Sequence, residues 1–229
     1  MSIPKTQKRN MKRKKFECLV AIFLVSAVFS NLTFAQENIA TARPTSAIGA
    51  WTIPANSFQF EQGFTYVNDT LVLDGLFRLA VSKIGEIRVL TLYGSDHIVF
   101  GGKVMLLNPV AHKTGLALKL SIDSDFRVLD FRMVATRKLS ERFSVVGNVG
   151  VIPGGRWYGI ALFNIGLGDR FGTYLEGVFR GSFQQYNTGL TFLINSETQL
   201  DFSTGLINNN SGYLGLGVSR RLKFDHFIH

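Results

Sequence analysis

Seven acids, Glu61, Asp74, Glu86, Asp123, Asp130, Glu176 and Asp201, and seven bases, Arg78, Arg88, Lys103, Lys119, Arg132, Arg180 and Arg221, occupy one face of an alternating pattern that runs through most of the chain. Charges of both signs on one face suit two tasks. They can line a water-filled path, where clustered charge sets the barrier for permeating solutes, or they can neutralise one another as cross-strand ion pairs in a filled interior. The sequence leaves both open. It offers less for catalysis. His97 follows Ser95 and Asp96, but a nucleophile, a base and an orienting acid must converge in space, and three consecutive residues at the start of a strand do not. His112, His226 and His229 have no framework for a metal. Gly101-Gly102 and Gly154-Gly155 are not followed by the helix that a phosphate-binding loop opens. No catalytic residue, metal or cofactor is expected.

Strands must position these charges. From Gly115 to Asp123, Leu116, Leu118, Leu120 and Ile122 point one way while Ala117, Lys119, Ser121 and Asp123 point the other; a helix, repeating every 3.6 residues, would scatter them around its axis. Twelve such blocks follow one another, near 57–67, 71–81, 85–93, 97–107, 114–123, 127–137, 142–152, 157–167, 172–180, 186–194, 197–206 and 213–224. Turn residues separate them, among them Asn68-Asp69, Gly94-Ser95-Asp96, Pro153-Gly154-Gly155 and the run 208–212. An even number of blocks of this length, one face apolar and the other charged, predicts an all-β, antiparallel, up-and-down transmembrane barrel, which must close because hydrocarbon satisfies no backbone group. No connecting loop is long enough to fold into the lumen. With the N-terminus on the periplasmic side, Tyr66, Tyr93, Trp157, Tyr158, Tyr186 and Tyr213 fall at the outer rim, as in an aromatic girdle. Arg220 shares a phase with Leu216, Val218 and Leu222, which predicts either a bulge or a place near an interface.

Residues 1–35 read as a secretory signal. Lys5, Lys8, Arg9 and Lys12 to Lys15 are its basic end, Leu19 to Phe29 its apolar stretch, and Thr33-Phe34-Ala35 a small-residue cleavage site, cut between Ala35 and Gln36. Removing it lowers the formal net charge from +9 to +3, so the basic balance gives no ground for a nucleic-acid partner. The sole cysteine, Cys18, leaves with it. Residues 36–56, with Pro44 and Pro54, are expected to form a periplasmic tail, 57–224 the barrel, and 225–229 a C-terminal extension.

The opening Arg43-Pro44 and Trp51-Thr52-Ile53-Pro54-Ala55-Asn56-Ser57-Phe58-Gln59-Phe60-Glu61-Gln62-Gly63-Phe64 resembles that of the outer-membrane transporter-like barrels of the MetA-pathway of phenol degradation family. Leu76-Phe77-Arg78-Leu79, Gly85-Glu86-Ile87-Arg88-Val89, Gln199-Leu200-Asp201-Phe202-Ser203 and Gly215-Leu216-Gly217-Val218-Ser219-Arg220-Arg221 are similar too. The resemblance implies an outer-membrane barrel with a transport role, while the family's name is no sign that phenol is the solute. The reading is a passive transporter or channel for small solutes, apolar or aromatic ones among them, in a Gram-negative outer membrane. Its partners are then outer-membrane lipid, the barrel-assembly machinery and the solute. The alternatives are an outer-leaflet enzyme of lipase or protease type, resting on His97, and a structural or surface-interaction barrel with a filled lumen. A soluble sandwich would leave the outward Leu and Phe rows uncovered.

Overall fold

The computed structural model describes residues 38–208 and 210–224. The signal segment, its Ala35–Gln36 cleavage point and the extension at 225–229 lie outside the described residues. Twelve strands follow in chain order: β1 (Ser57–Val67), β2 (Thr70–Ala80), β3 (Gly85–Leu92), β4 (Ile98–Leu107), β5 (Thr114–Asp123), β6 (Val128–Lys138), β7 (Phe143–Ile152), β8 (Arg156–Gly166), β9 (Phe171–Arg180), β10 (Phe183–Asn195), β11 (Thr198–Ile207) and β12 (Ser211–Lys223). Between β4 and β5 lies one helical turn, α1 (Pro109–His112), which Asn108 caps by accepting from the Val110 amide. Each strand pairs antiparallel with its chain neighbours, and β1 pairs with β12 from Ser57 opposite Lys223 to Val67 opposite Tyr213, so the barrel is closed.

The β1–β2 turn shows why the hairpins form where they do. Asn68 and Asp69 both hold positive φ, 48° and 59°, the hand that continues the twist of the flanking strands. Asn and Asp tolerate that region because their short side chains bond locally. All connections between strands are short. The end of the barrel that carries the β1–β2 turn is referred to below as the hairpin end.

Leu71, Leu73, Met133, Leu175, Leu206 and their neighbours are exposed on the outer face. Such a belt would drive aggregation in water, whereas in a bilayer it meets hydrocarbon. No helix among the described residues is long and apolar enough to cross a membrane; the strands do so.

Two expectations change. Tyr66, Tyr93, Trp157 and Tyr186 do face outward near the hairpin end, but Tyr158 is buried and Tyr213 bonds to Asn187 inside the barrel. Each inward tyrosine lies over a glycine directly across the strand pair: Tyr158 over Gly150, Tyr174 over Gly189 and Tyr213 over Gly205. The ring fills space that the missing side chain leaves and covers exposed backbone. Arg220 requires no bulge. Its register is unbroken, opposite Phe60 and Thr198, and its outward side chain sits close to the end of the barrel away from the hairpin turns, where it can reach a headgroup.

Candidate functional site: the lumen and the segment within it

Residues 36–56 are expected to form a periplasmic tail; their described part from Ile39 runs inside the barrel instead. Pro44 and Pro54 lack the amide that a sheet needs, and Ala40, Ala42, Ala47, Gly49 and Ala50 are small enough to pass close to the wall. The segment enters beside the β10–β11 turn, where the Ile39 amide donates to the Ser196 carbonyl at 2.8 Å. It then crosses to β6–β9 and returns to the start of β1.

A chain crossing a barrel in no sheet must find partners for its backbone. The wall side chains supply them. Glu61 accepts from the amides of Ala42 (2.8 Å) and Arg43 (3.0 Å), and Glu176 accepts from Ser46 (3.0 Å) and Ala47 (2.7 Å). Asn148 both accepts from the Ile48 amide and donates to its carbonyl, while Thr136 accepts from Ala50 and Glu86 from Ile53. The segment's carbonyls face the bases. Arg78 and Gln59 donate to Ala40, Arg132 to Ser46, and Lys103 to Gly49 and Trp51. The one charged side chain of the segment, Arg43, pairs with Asp74 at 2.6 Å and stands 3.8 Å from Asp201.

The fourteen charges singled out in the sequence fall into four groups. On β1–β4, Glu61, Arg78, Glu86, Arg88 and Lys103 form a buried network with Arg78–Glu61 at 2.9 Å, Arg78–Glu86 and Arg88–Glu86 at 2.8 Å, and Lys103–Glu86 at 3.6 Å. On β5–β6, Asp130 serves both Lys119 (2.9 Å) and Arg132 (3.3 Å) and also accepts from the Tyr158 hydroxyl. Among the described residues Asp74, Glu176 and Asp201 meet no base on the wall and are met by the segment instead. The remaining three lie towards the ends. Asp123 is held by Arg127 (2.6 Å) beside the β5–β6 turn, and Arg180, exposed at the hairpin end, stacks its guanidinium 5.0 Å from the ring of Phe183. Arg221 binds Glu197 at the opposite end, where the Glu197 carboxyl is held below its usual range chiefly by that hydrogen bond.

Sequence reasoning missed Gln59, Thr136, Asn148 and Asn187, neutral polar residues in the same inward phase as the charges. Reading every polar residue in that phase, rather than the ionised ones alone, would have found them. The candidate outer-leaflet triad does not assemble: the Ser95 hydroxyl donates to the Leu92 carbonyl and accepts from the His97 amide, not from its imidazole. Among the described residues no group of His, Cys, Asp or Glu is arranged to hold a metal.

The segment leaves space on both its sides. A cavity of about 250 Å³ lies towards the N-terminal end, lined by Thr41, Trp51, Arg78, Lys103, Asn164 and Gln199. Another of about 250 Å³ lies towards the hairpin end, between Arg43, Asp74, Arg88, Lys119 and Arg132.

Comparison with solved structures is consistent with this architecture. The chain is similar to the KdgM porin, with a TM-score of 0.59 at 10% identity over 74% of this chain and 99% of that one. The chain shares the fold of that porin. The KdgM porin in complex with disordered oligogalacturonate matches at a TM-score of 0.58, 9% identity, and the same coverage of 74% and 99%. No family model matches the chain, and no curated protein does.

Proposed function

We propose that this chain is a passive channel for small solutes in a bacterial outer membrane, and that residues 39–56 keep its lumen closed in the state described above. The observation that carries this reading is the pairing of the segment's backbone with Glu61, Glu86, Glu176, Arg78, Lys103 and Arg132, all by polar bonds that water can replace. A strand barrel of twelve lies between the filled eight-stranded barrels and the open porins of sixteen or more, so emptying it of one segment leaves a path. The hairpin end faces outward on this reading, and the protein catalyses no reaction. Outer-membrane lipid and the barrel-assembly machinery are its partners as for any such barrel. Membership of the MetA-pathway of phenol degradation family rests on the motifs around Trp51–Phe64, and apolar or aromatic solutes belong to that part of the proposal.

A filled structural barrel is the second reading, favoured by the number of bonds to the segment. Planar-bilayer recordings separate the two. The intact chain is expected to give sparse, brief openings and a variant lacking residues 39–53 steady conductance; a shortened barrel that folds but stays silent would favour the filled barrel.

A further inference from the structure

Five bases on β2–β6 fall in two cross-strand rows, Arg78 with Arg88 and Lys103 with Lys119 and Arg132, separated at β3–β4, where Arg88 is opposite Gly101 and Lys103 is opposite Glu86. Like charges facing one another across a strand pair are destabilising, so a wall of this kind persists where something negative offsets it. Part of the offset is internal. Glu86 is shared among Arg78, Arg88 and Lys103, Asp130 is shared between Lys119 and Arg132, and the carbonyls of Gly49 and Trp51 take up Lys103. Two carboxylates shared among five cations leave charge over even with Glu61 bound to Arg78.

The surplus faces the cavity towards the hairpin end. Arg88, itself buried, gives Nη1 to Glu86, and its Nε and Nη2 meet no acceptor among the described residues; Lys119 gives one of its three donors, to Asp130. Gly101 lies between Arg88 and Ser121 in the register, keeping the floor between them open. The single carboxylate that lines this cavity, Asp74, is already covered by Arg43 at 2.6 Å. Leu76, Leu90 and Val99 line the rest of the wall. A few convergent donors set in a partly apolar cavity are what orient a small ligand.

We infer that this cavity is a binding site for a compact organic anion, a carboxylate on a small apolar body, held by Arg88 and Lys119. The inference rests on the channel reading for its biological sense, since it names the class of solute that would pause there. The volume of about 250 Å³ has room for a molecule the size of benzoate.

The test is calorimetric titration of the mature full-length barrel in detergent micelles with benzoate, and with benzamide as its neutral isostere. Saturable benzoate binding is expected, with none for benzamide. Lys119→Gln and Arg88→Gln should each weaken it at least about tenfold, because each removes a charge-assisted hydrogen bond. Arg137→Gln, on the outer face, should leave it unchanged. Lys119→Gln relieves like-charge crowding and should fold, as heat-modifiable gel migration will show. Absence of saturable benzoate binding, equal binding of benzamide, or benzoate binding indifferent to both substitutions would overturn the site. Conductance measured on the same preparation keeps the two readings apart. A conducting barrel that ignores benzoate sinks the site alone, and benzoate binding by the intact barrel together with a folded but silent variant lacking residues 39–53 sinks the channel alone.

Discussion

Gly63 on β1 and Gly217 on β12 stand directly opposite each other, and the space above them holds the guanidinium of Arg43. A Cβ at Gly63 would lie 2.0 Å from Arg43 Nη2, and one at Gly217 would lie 2.6 Å from Arg43 Nε. The paired glycines are the seat from which Arg43 reaches Asp74 and Asp201. Only the far end of a flexible side chain stands in the way, so Gly63→Val should leave the barrel folded while unseating Arg43. Losing that charge-assisted pair should weaken docking of the segment by about 1.5–3 kcal/mol. The expected result is a rise of about tenfold or more in open time in planar bilayers. Unchanged recordings from a folded variant would mean that Arg43 does not hold the segment in place.

Leu118 and Lys119 test which face meets lipid. Leu118 lies opposite Val104 and Met133 on the outer face, while Lys119 points inward to Asp130. Leu118→Arg should destabilise the inserted barrel by about 2–4 kcal/mol, as a cation near the bilayer midplane does. Lys119→Leu should fold, because Asp130 keeps Arg132 and Tyr158 as partners. Yield of heat-modifiable protein in liposomes measures both, and equal losses would show the register to be wrong.

The barrel was readable because a strand's two faces meet different surroundings here, and period two carries that difference through every block. All twelve strand blocks are present with ends shifted by three residues or fewer. The aromatic assignment failed where that same rule was ignored. Trp157 and Tyr158 are adjacent, so they cannot both face lipid, and the glycine across from Tyr158 draws it inward. The segment at 39–56 was not readable for a different reason. Its hold on the wall is made by backbone amides and carbonyls, which every sequence has, and its small side chains carry no periodicity. The carboxylates that receive it, Glu61 and Glu176, were visible; that Glu176 takes amides in place of a cation, and that Glu61 gives one oxygen to Arg78 and the other to amides, was not.

Glu176 offers the sharpest probe of that hold. It is buried, and its two oxygens take the amides of Ser46 and Ala47. Glu176→Ala leaves both amides without an acceptor, a cost of about 1–3 kcal/mol for each that stays buried. Hydrogen exchange at Ser46 and Ala47 should accelerate severalfold in the variant, while exchange at Ala42, held by Glu61, changes less. Protection at Ser46 and Ala47 that survives the substitution would show that Glu176 is not what fixes the segment there.

Acid should act first where the segment enters. Glu197, in the turn between β10 and β11, binds Arg221 and lies 2.6 Å from Lys223, while the neighbouring Ser196 carbonyl accepts the Ile39 amide. The hydrogen bond from Arg221 lowers the Glu197 carboxyl below its usual value, with burial opposing. A carboxyl whose pKa is depressed on folding stabilises the fold above its unfolded value, about 4.3 for Glu, and that contribution is lost as the pH falls through the lower folded value. Wild type should therefore exceed Glu197→Gln in the temperature at which it loses its compact gel migration near neutral pH, and the gap should close below about pH 4. Glu197 is partly open to water, so a modest gap is expected. The exchange rate of the Ile39 amide should follow the same course, rising in wild type on acidification and already high in the variant at neutral pH. A gap that persists unchanged into acid would mean that Arg221 and Lys223 hold this end of the barrel without Glu197's charge.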